Sequence, residues 1–270
     1  MRIGLLGYGK MGRMVEAAAR ERGHQVLLII DPAVPVVPNP AAGYPVLCNS
    51  IAEAESVLKL VDVMIEFTRP ETVVENIKAM VARKVPLVVG TTGWFDKLEE
   101  VQRLVEFESA SLLWSSNFSL GVNLFYKIVS HAAELFDHFD EYDVGALEVH
   151  HNKKADSPSG TAKTLAERIL SVMKRKTTVH WDYLPDRPPQ PGELHFASLR
   201  YGAVPGTHSV FFDSTADTIE ITHQARSREG FARGAVRAAE WLLQCPGAGK
   251  EAGKPRLGIF TMDDVLKEVL

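Results

Sequence analysis

The chain has 270 residues, 46% hydrophobic and 24% charged, with a formal net charge of −4. That length is enough for a sizeable core without staples. The charge balance offers no global basic field for nucleic acid or an anionic membrane surface, so neither is an expected partner. Cys48 and Cys245 form no spacing motif, so no disulfide framework is expected and a reducing, cytoplasmic compartment fits. No apolar run approaches the ~20 residues of a membrane span, and a strand that starts at Arg2 leaves no room for a signal peptide.

Arg2–Leu6 is a short apolar run ending at a glycine turn. Residues 11–22 have helical spacing, with Val15, Ala18 and Ala19 on one face. Gln25–Ile30 is a continuous apolar run that stops at Asp31-Pro32, as in a parallel sheet buried on both faces. Residues 33–45 are an irregular connection rich in proline. The alternation then repeats: helix 51–60, strand 62–67, helix 71–83, strand 86–89, helix 95–107 and strand Ser111–Trp114. Strands alternating with helices of this length predict βαβ units and a parallel sheet.

From Gly121 the pattern changes. Residues 122–136 read as a long helix, 142–149 as a strand and 161–173 as a helix. Residues 183–192 hold four prolines and predict a mobile surface loop. Three strands follow, 195–200, 208–212 and 218–223, joined by short turns, and then helices 230–244 and 262–269. The predicted class is α/β. Residues 1–119 and 228–270 form a doubly wound parallel sheet that binds a dinucleotide. Residues 120–227 form an inserted α+β domain on a mixed sheet, which binds substrate and oligomerises.

Gly7-Tyr8-Gly9-Lys10-Met11-Gly12 has GxGxxG spacing, follows the first strand and opens a helix. The first glycine permits a tight turn, the second admits a pyrophosphate and the third allows close helix–strand packing, as in a Rossmann domain. The helix start offers unpaired N–H groups and partial positive charge to the phosphates. Asp31, 19 residues after Gly12, stands where an acidic residue takes the adenosine ribose hydroxyls. The next residues, Pro32-Ala33-Val34, include no arginine for a 2′-phosphate, so NADH is expected over NADPH, although Lys10 and Arg13 lie within reach of one. The other strand ends carry Phe67-Thr68, Gly90-Thr91-Thr92 and Ser115-Ser116-Asn117-Phe118, beyond which an open α/β sheet binds its ligand. Gly90 can admit a nicotinamide that Phe67 covers. The threonines serve equally well as turn formers and helix caps.

Residues 148–162, EVHHNKKADSPSGTA, join two histidines, two lysines and a Ser159-Gly160-Thr161 turn at a helix start. That turn can seat a carboxylate, while His150, His151, Lys153 and Lys154 add protons and positive charge. A lysine is an effective acid once its pKa is lowered, which neighbouring cations achieve. Taken singly, each residue is equally a solvated surface group or a plain helix cap. A zinc site is not expected, because adjacent histidines in a strand point oppositely and no cysteine or carboxylate set completes the ligands.

These motifs resemble the 4-hydroxy-tetrahydrodipicolinate (dihydrodipicolinate) reductase family over essentially the whole chain. The matching residues are Glu148-Val149-His150-His151, Lys154, Asp156 and Pro158-Ser159-Gly160-Thr161-Ala162, with 89–93, 117–123, 219–223 and Ser227-Arg228. Glu66 stands where the family usually has Asp. The resemblance implies reduction of a small dicarboxylate imine in the diaminopimelate route to lysine, with hydride added to C4 from NADH or NADPH. It implies His150 as the catalytic histidine and Lys154 as the proton donor, with His151, Gly160 and Thr161 on the substrate carboxylates. It also implies a nicotinamide lined by Gly90–Thr92 and Ser115–Phe118, with Arg228 in the cofactor set. A homotetramer and hinges near residues 119 and 228 are implied too. Two alternatives remain at this stage: a related dehydrogenase acting on another imine or amino acid, and a non-catalytic NADH-binding regulator.

Overall fold

The computed structural model describes residues 1–37, 40–41, 43–182, 187–244 and 253–268. In chain order the elements begin β1 (Arg2–Leu6), α1 (Lys10–Glu21), β2 (Gln25–Ile30), β3 (Val46–Cys48), α2 (Glu55–Leu58) and β4 (Val63–Glu66). Next come α3 (Pro70–Ala82), β5 (Leu87–Val89), α4 (Leu98–Phe107), β6 (Ser111–Trp114), α5 (Leu120–Phe136) and β7 (Asp143–His150). The chain continues with α6 (Gly160–Val172), β8 (Thr178–Trp181), β9 (Glu193–Arg200), β10 (Thr207–Asp213) and β11 (Thr218–Gln224). It closes with α7 (Glu229–Leu242), β12 (Gly258–Phe260) and α8 (Met262–Lys267). There are two compact units, Met1–Ser119 with Glu229–Leu270, and Leu120–Arg228.

The first unit holds a seven-stranded sheet in the order β12-β6-β5-β4-β1-β2-β3, with every described pairing parallel. Successive strand residues enter opposite layers, as a period of two requires. Ile3, Leu5, Val63, Ile65, Val88 and Leu113 join one apolar cluster with α1 and α7, while Leu6, Met64, Leu87, Val89 and Leu112 join the other with α3 and α4. Strand order reverses between β1 and β4, which in such sheets marks the ligand crevice at the strands' carboxyl ends. Helix α7 brings the chain back into this unit. Its buried Glu240 accepts hydrogen bonds from Arg22 at 2.7 and 2.8 Å and lies 2.7 Å from His24 Nε2. Burial alone would raise the Glu240 carboxyl, but the bonds from Arg22 and His24 outweigh it and hold it below the usual range.

The second unit holds a mixed five-stranded sheet, β11-β10-β7-β9-β8. β7 is antiparallel to β10 and parallel to β9, which also pairs in parallel with β8. Helices α5 and α6 cover it through a core that includes Phe125, Val129, Leu165, Ile169, Phe196 and Phe212.

Several elements differ from the periodicity. The helix expected over 51–60 contracts to α2, because its first half is turn and Glu53 accepts the Asn49 N–H at 3.0 Å. A 3-10 turn, Phe95–Lys97, precedes α4. β3, β8 and β12 are additional strands of three or four residues, too short to show alternation. In the expected loop 183–192, residues 183–186 lie outside the described residues, as do Cys245 and Val269. Among the described residues, no helix is long and apolar enough to cross a membrane.

Candidate active site

In the first unit, Gly7 adopts φ +87° and Gly12 packs so closely that a Cβ there would lie 2.3 Å from the Gly7 carbonyl oxygen. Around Gly9, by contrast, a Cβ would meet nothing within 4 Å. These are the requirements of a phosphate-binding turn: two glycines forced by local geometry and one leaving clearance at the start of α1. Lys10 is exposed, and Tyr8 and Met11 are half-buried beside it. Burial and the hydrogen bond to Glu16 push the Tyr8 hydroxyl up to about 12, so it stays neutral. The Asp31 carboxylate accepts the Tyr8 N–H at 2.6 Å and the Ala33 N–H at 2.8 Å, fixing the glycine turn to the end of β2. The carboxylate has acceptor capacity beyond these two bonds for ribose hydroxyls. The donor set and the clearance at Gly9 fit a dinucleotide.

The remaining strand ends are braced from below. Thr68 N–H donates to Thr91 Oγ1 at 2.8 Å and to Glu66 Oε1 at 3.0 Å, and the Thr68 hydroxyl also bonds Glu66. Burial raises the Glu66 carboxyl above its usual range, against bonds from Thr68, Thr91 and Asn76. The Phe67 ring occupies the space over Gly90, where a Cβ would lie 2.1 Å from the ring. Gly90 therefore makes room for the Phe67 ring. Phe118 is 2% exposed and stands edge-on to Phe67 at 6.3 Å, so it is core that supports the ring rather than surface. Ser115 Oγ bridges the Asn117 backbone, donating to its carbonyl at 2.8 Å and accepting its N–H at 3.1 Å. Thr92 and Ser116 are exposed, and Asn117 is buried with its side chain accepting the Ser119 N–H at 2.9 Å.

In the second unit β7 delivers His150 and, two residues earlier, Glu148, both buried. His150 Nδ1 lies 2.6 Å from Glu148 Oε2. Arg200 Nη2, from the end of β9, and the Ser159 N–H each donate to Glu148 Oε1 at 2.8 Å. Burial alone would raise the Glu148 carboxyl, yet the close approach of His150 and the bonds from Arg200 and Ser159 hold it far below the usual range. His208 of β10 stands edge-on to His150 at 5.2 Å, with its Nε2 3.4 Å from Ser159 Oγ. Burial and the charge of His150 push His208 down to about 3, so it is neutral.

Ser159 is the N-cap of α6, and its Oγ accepts the Ala162 N–H at 3.1 Å. Its N–H and its Oγ both serve the cap and the Glu148 carboxylate, and the residue is 2% exposed. Gly160 and Thr161, in the first turn, are the exposed and half-exposed positions, and a Cβ at Gly160 would meet nothing within 4 Å. Lys154 Nζ lies 2.8 Å from Asp156 Oδ1, so its charged neighbour is a carboxylate and not the cations expected from sequence. Lys153 is exposed and His151 half-buried. Arg228, the last residue of this unit, is exposed.

The expectation that no carboxylate joins the histidines is also corrected. Ligand atoms of Glu148, His150 and His208 lie within 4.8 Å of one another. Because Arg200 and the Ser159 N–H already occupy that carboxylate, the set suits proton handling better than a divalent ion. Arg200 and His208 escaped the sequence reading. The available signal was a basic or titratable residue at or within a strand that reads as core.

Two family models match the chain. "Dihydrodipicolinate reductase, N-terminus" covers residues 1–118, and "Dihydrodipicolinate reductase, C-terminus" covers residues 121–266. The 4-hydroxy-tetrahydrodipicolinate reductase of Christiangramia forsetii is 36% identical over 269 residues, spanning 100% of this chain and 99% of that protein. That of Archaeoglobus fulgidus is 39% identical over 273 residues, spanning 99% and 100%. Among solved structures, a dipicolinate-bound dihydrodipicolinate reductase from Paenisporosarcina sp. TG-14 shares the fold, with a TM-score of 0.73, 23% identity and 97% of each chain covered.

Proposed function

The chain belongs to the dihydrodipicolinate reductase family, and from that premise we propose how it carries out the reaction. It catalyses the NAD(P)H-dependent reduction of 4-hydroxy-tetrahydrodipicolinate to tetrahydrodipicolinate, in the diaminopimelate route to lysine. The observation that carries the reading is the buried Glu148–His150 pair beside the first turn of α6, in a chain similar to such reductases from end to end.

Loss of the 4-hydroxyl as water, with a proton from the carbon between C4 and the imine, leaves an unsaturated cyclic imine, and reduced nicotinamide dinucleotide, when bound, would supply the hydride for its C4. Gly7, Tyr8, Gly9, Lys10, Met11 and Gly12 hold its pyrophosphate, and Asp31 takes the adenosine ribose. Phe67, Gly90, Thr91, Thr92, Ser115, Ser116 and Asn117 border the nicotinamide, with Phe118 behind them. The N–H groups of Gly160 and Thr161 seat a substrate carboxylate, helped by His151 and Lys153. Lys154 protonates the enamine left by hydride addition, and Asp156 holds its ammonium in place until then.

NADH is the preferred donor, because a 2′-phosphate would stand against the Asp31 carboxylate. Assembly into a homotetramer belongs to the same reading. It is supported by the exposed apolar side chains Leu199, Tyr201 and Ile219, and sedimentation should return four times the chain mass.

The test is a coupled assay in which the upstream synthase makes the substrate from pyruvate and aspartate semialdehyde. Oxidation of NADH should require the synthase and outpace that of NADPH. Lys154→Met should lower kcat by roughly 10²- to 10³-fold with NADH affinity intact. A Lys154→Met enzyme of near-normal turnover would refute the proton-donor role, and faster turnover with NADPH would refute the role given to Asp31.

A further inference from the structure

We infer that Glu148 is the positioning residue of this site, one carboxylate that selects the working nitrogen of His150 and anchors the helix start that receives the substrate. The inference rests on the reductase reading for its kinetic consequences, though not for its geometry.

Glu148 is 0% exposed, in the interior of a strand. A carboxylate so placed is costly unless every lone pair is used. Arg200 alone would neutralise the charge, but the carboxylate also receives two other groups. Oε1 takes the Ser159 N–H together with Arg200, and Oε2 faces His150 Nδ1. Oε2 and Nδ1 are 2.6 Å apart without the alignment of a made hydrogen bond, and that close to an ionised carboxylate oxygen Nδ1 must carry a proton, so neutral His150 is fixed as one tautomer. Nε2 is then the only ring atom left to give or accept a proton at substrate.

The surroundings of Nε2 agree with that assignment. It faces Gly206, whose φ is +149° and where a Cβ would lie 3.0 Å from Nε2. Glycine at this position keeps the outer edge of the ring uncovered. On the inner side the His208 ring crosses that of His150 at 76° and limits its rotation.

The second bond of Glu148 reaches the substrate end of the site. By holding the Ser159 N–H it fixes the residue that caps α6, and so the direction of the Gly160 and Thr161 N–H groups. His150 and the carboxylate seat are separated in sequence, yet they share this one anchor.

The experiment uses the full-length protein labelled with ¹⁵N-histidine, with the His150 signals assigned by their loss in His150→Gln. The wild type should show neutral His150 protonated at Nδ1 alone. Glu148→Gln should lose that fixed tautomer, lower kcat about 100-fold and raise KM for the imine, while KM for NADH stays unchanged. Glu148→Asp should recover part of both losses. A wild-type His150 protonated at Nε2 would overturn the assignment, and so would a Glu148→Gln enzyme with wild-type kcat. If Glu148→Gln does not fold, the wild-type tautomer decides alone. A wild type with no turnover would count against the reductase reading, while the NMR result, obtained without substrate, would still judge Glu148.

Discussion

His208 shows how much one buried side chain can set the pH response of the second unit. Its neighbours are His150, Glu148, His223 and Lys154, and burial is the main reason it titrates at about 3 and not at the ordinary 6.5. Between those values the folded protein leaves His208 neutral while the unfolded chain takes up a proton. Stability is therefore lost as pH falls through that window, with a slope of about 1.4 kcal/mol per pH unit. Glu148 acts in the same direction at lower pH. Its carboxyl is held down in the folded state, so the stability it gives is present above the usual carboxylate range and lost as pH falls towards its folded value. Urea titrations at a series of pH values should show His208→Gln flattening the upper part of this dependence, and an unaltered slope would contradict the assignment. At this scale the sequence is uneven. His150, Lys154 and the Ser159 turn are visible because they are contiguous in one stretch. Arg200 and His208 are not, because 52 residues separate Arg200 from Glu148 and strand pairing alone brings them together. Ser159 was visible as a residue type, but its use as a buried cap depends on Glu148, which no spacing rule supplies.

Among the elements, α7 makes the most exacting join. The chain leaves the first unit after Ser119 and returns at Glu229, and α7 must then dock against α1. Its apolar face packs small residues such as Ala232, Ala235 and Ala239, which allow close approach. Glu240 adds a buried polar clamp to Arg22 and His24. Removing the carboxylate takes away the partner shared by half-buried Arg22 and buried His24, so Glu240→Ala should cost about 2 kcal/mol. Equilibrium denaturation would measure it, and a change close to zero would make the clamp ornamental. The periodicity of α7 was plain in the sequence, as was that of α1, α3, α5 and α6. Helix 51–60 was overread, because its composition is helical while Glu53 is diverted to hold the Asn49 backbone. β3, β8 and β12 were missed, because strands this short exist only through their parallel partners β2, β9 and β6.

For the whole molecule, the doubly wound class followed from strands buried on both faces alternating with amphipathic helices, and the insertion from the change of pattern near Gly121. The strand order did not follow. Nothing in the spacing tells β4 to lie beside β1 or β12 to lie beside β6, since those choices depend on which layer each helix covers. The order matters to function because it opens the crevice where the glycine turn, Phe67 and Gly90 meet at strand ends. Full-length similarity shows the reductase family, and on the mechanism proposed above the hydride goes to carbon four of the ring. A related amino-acid or imine dehydrogenase on the same fold would instead deliver its hydride to the carbon of the C=N bond. The measurement that separates these most directly is a single turnover with NADH deuterated at the transferable position, followed by NMR of the product. Deuterium should appear at C4 of tetrahydrodipicolinate and nowhere else; deuterium at the C=N carbon, or none in the product, would contradict the account.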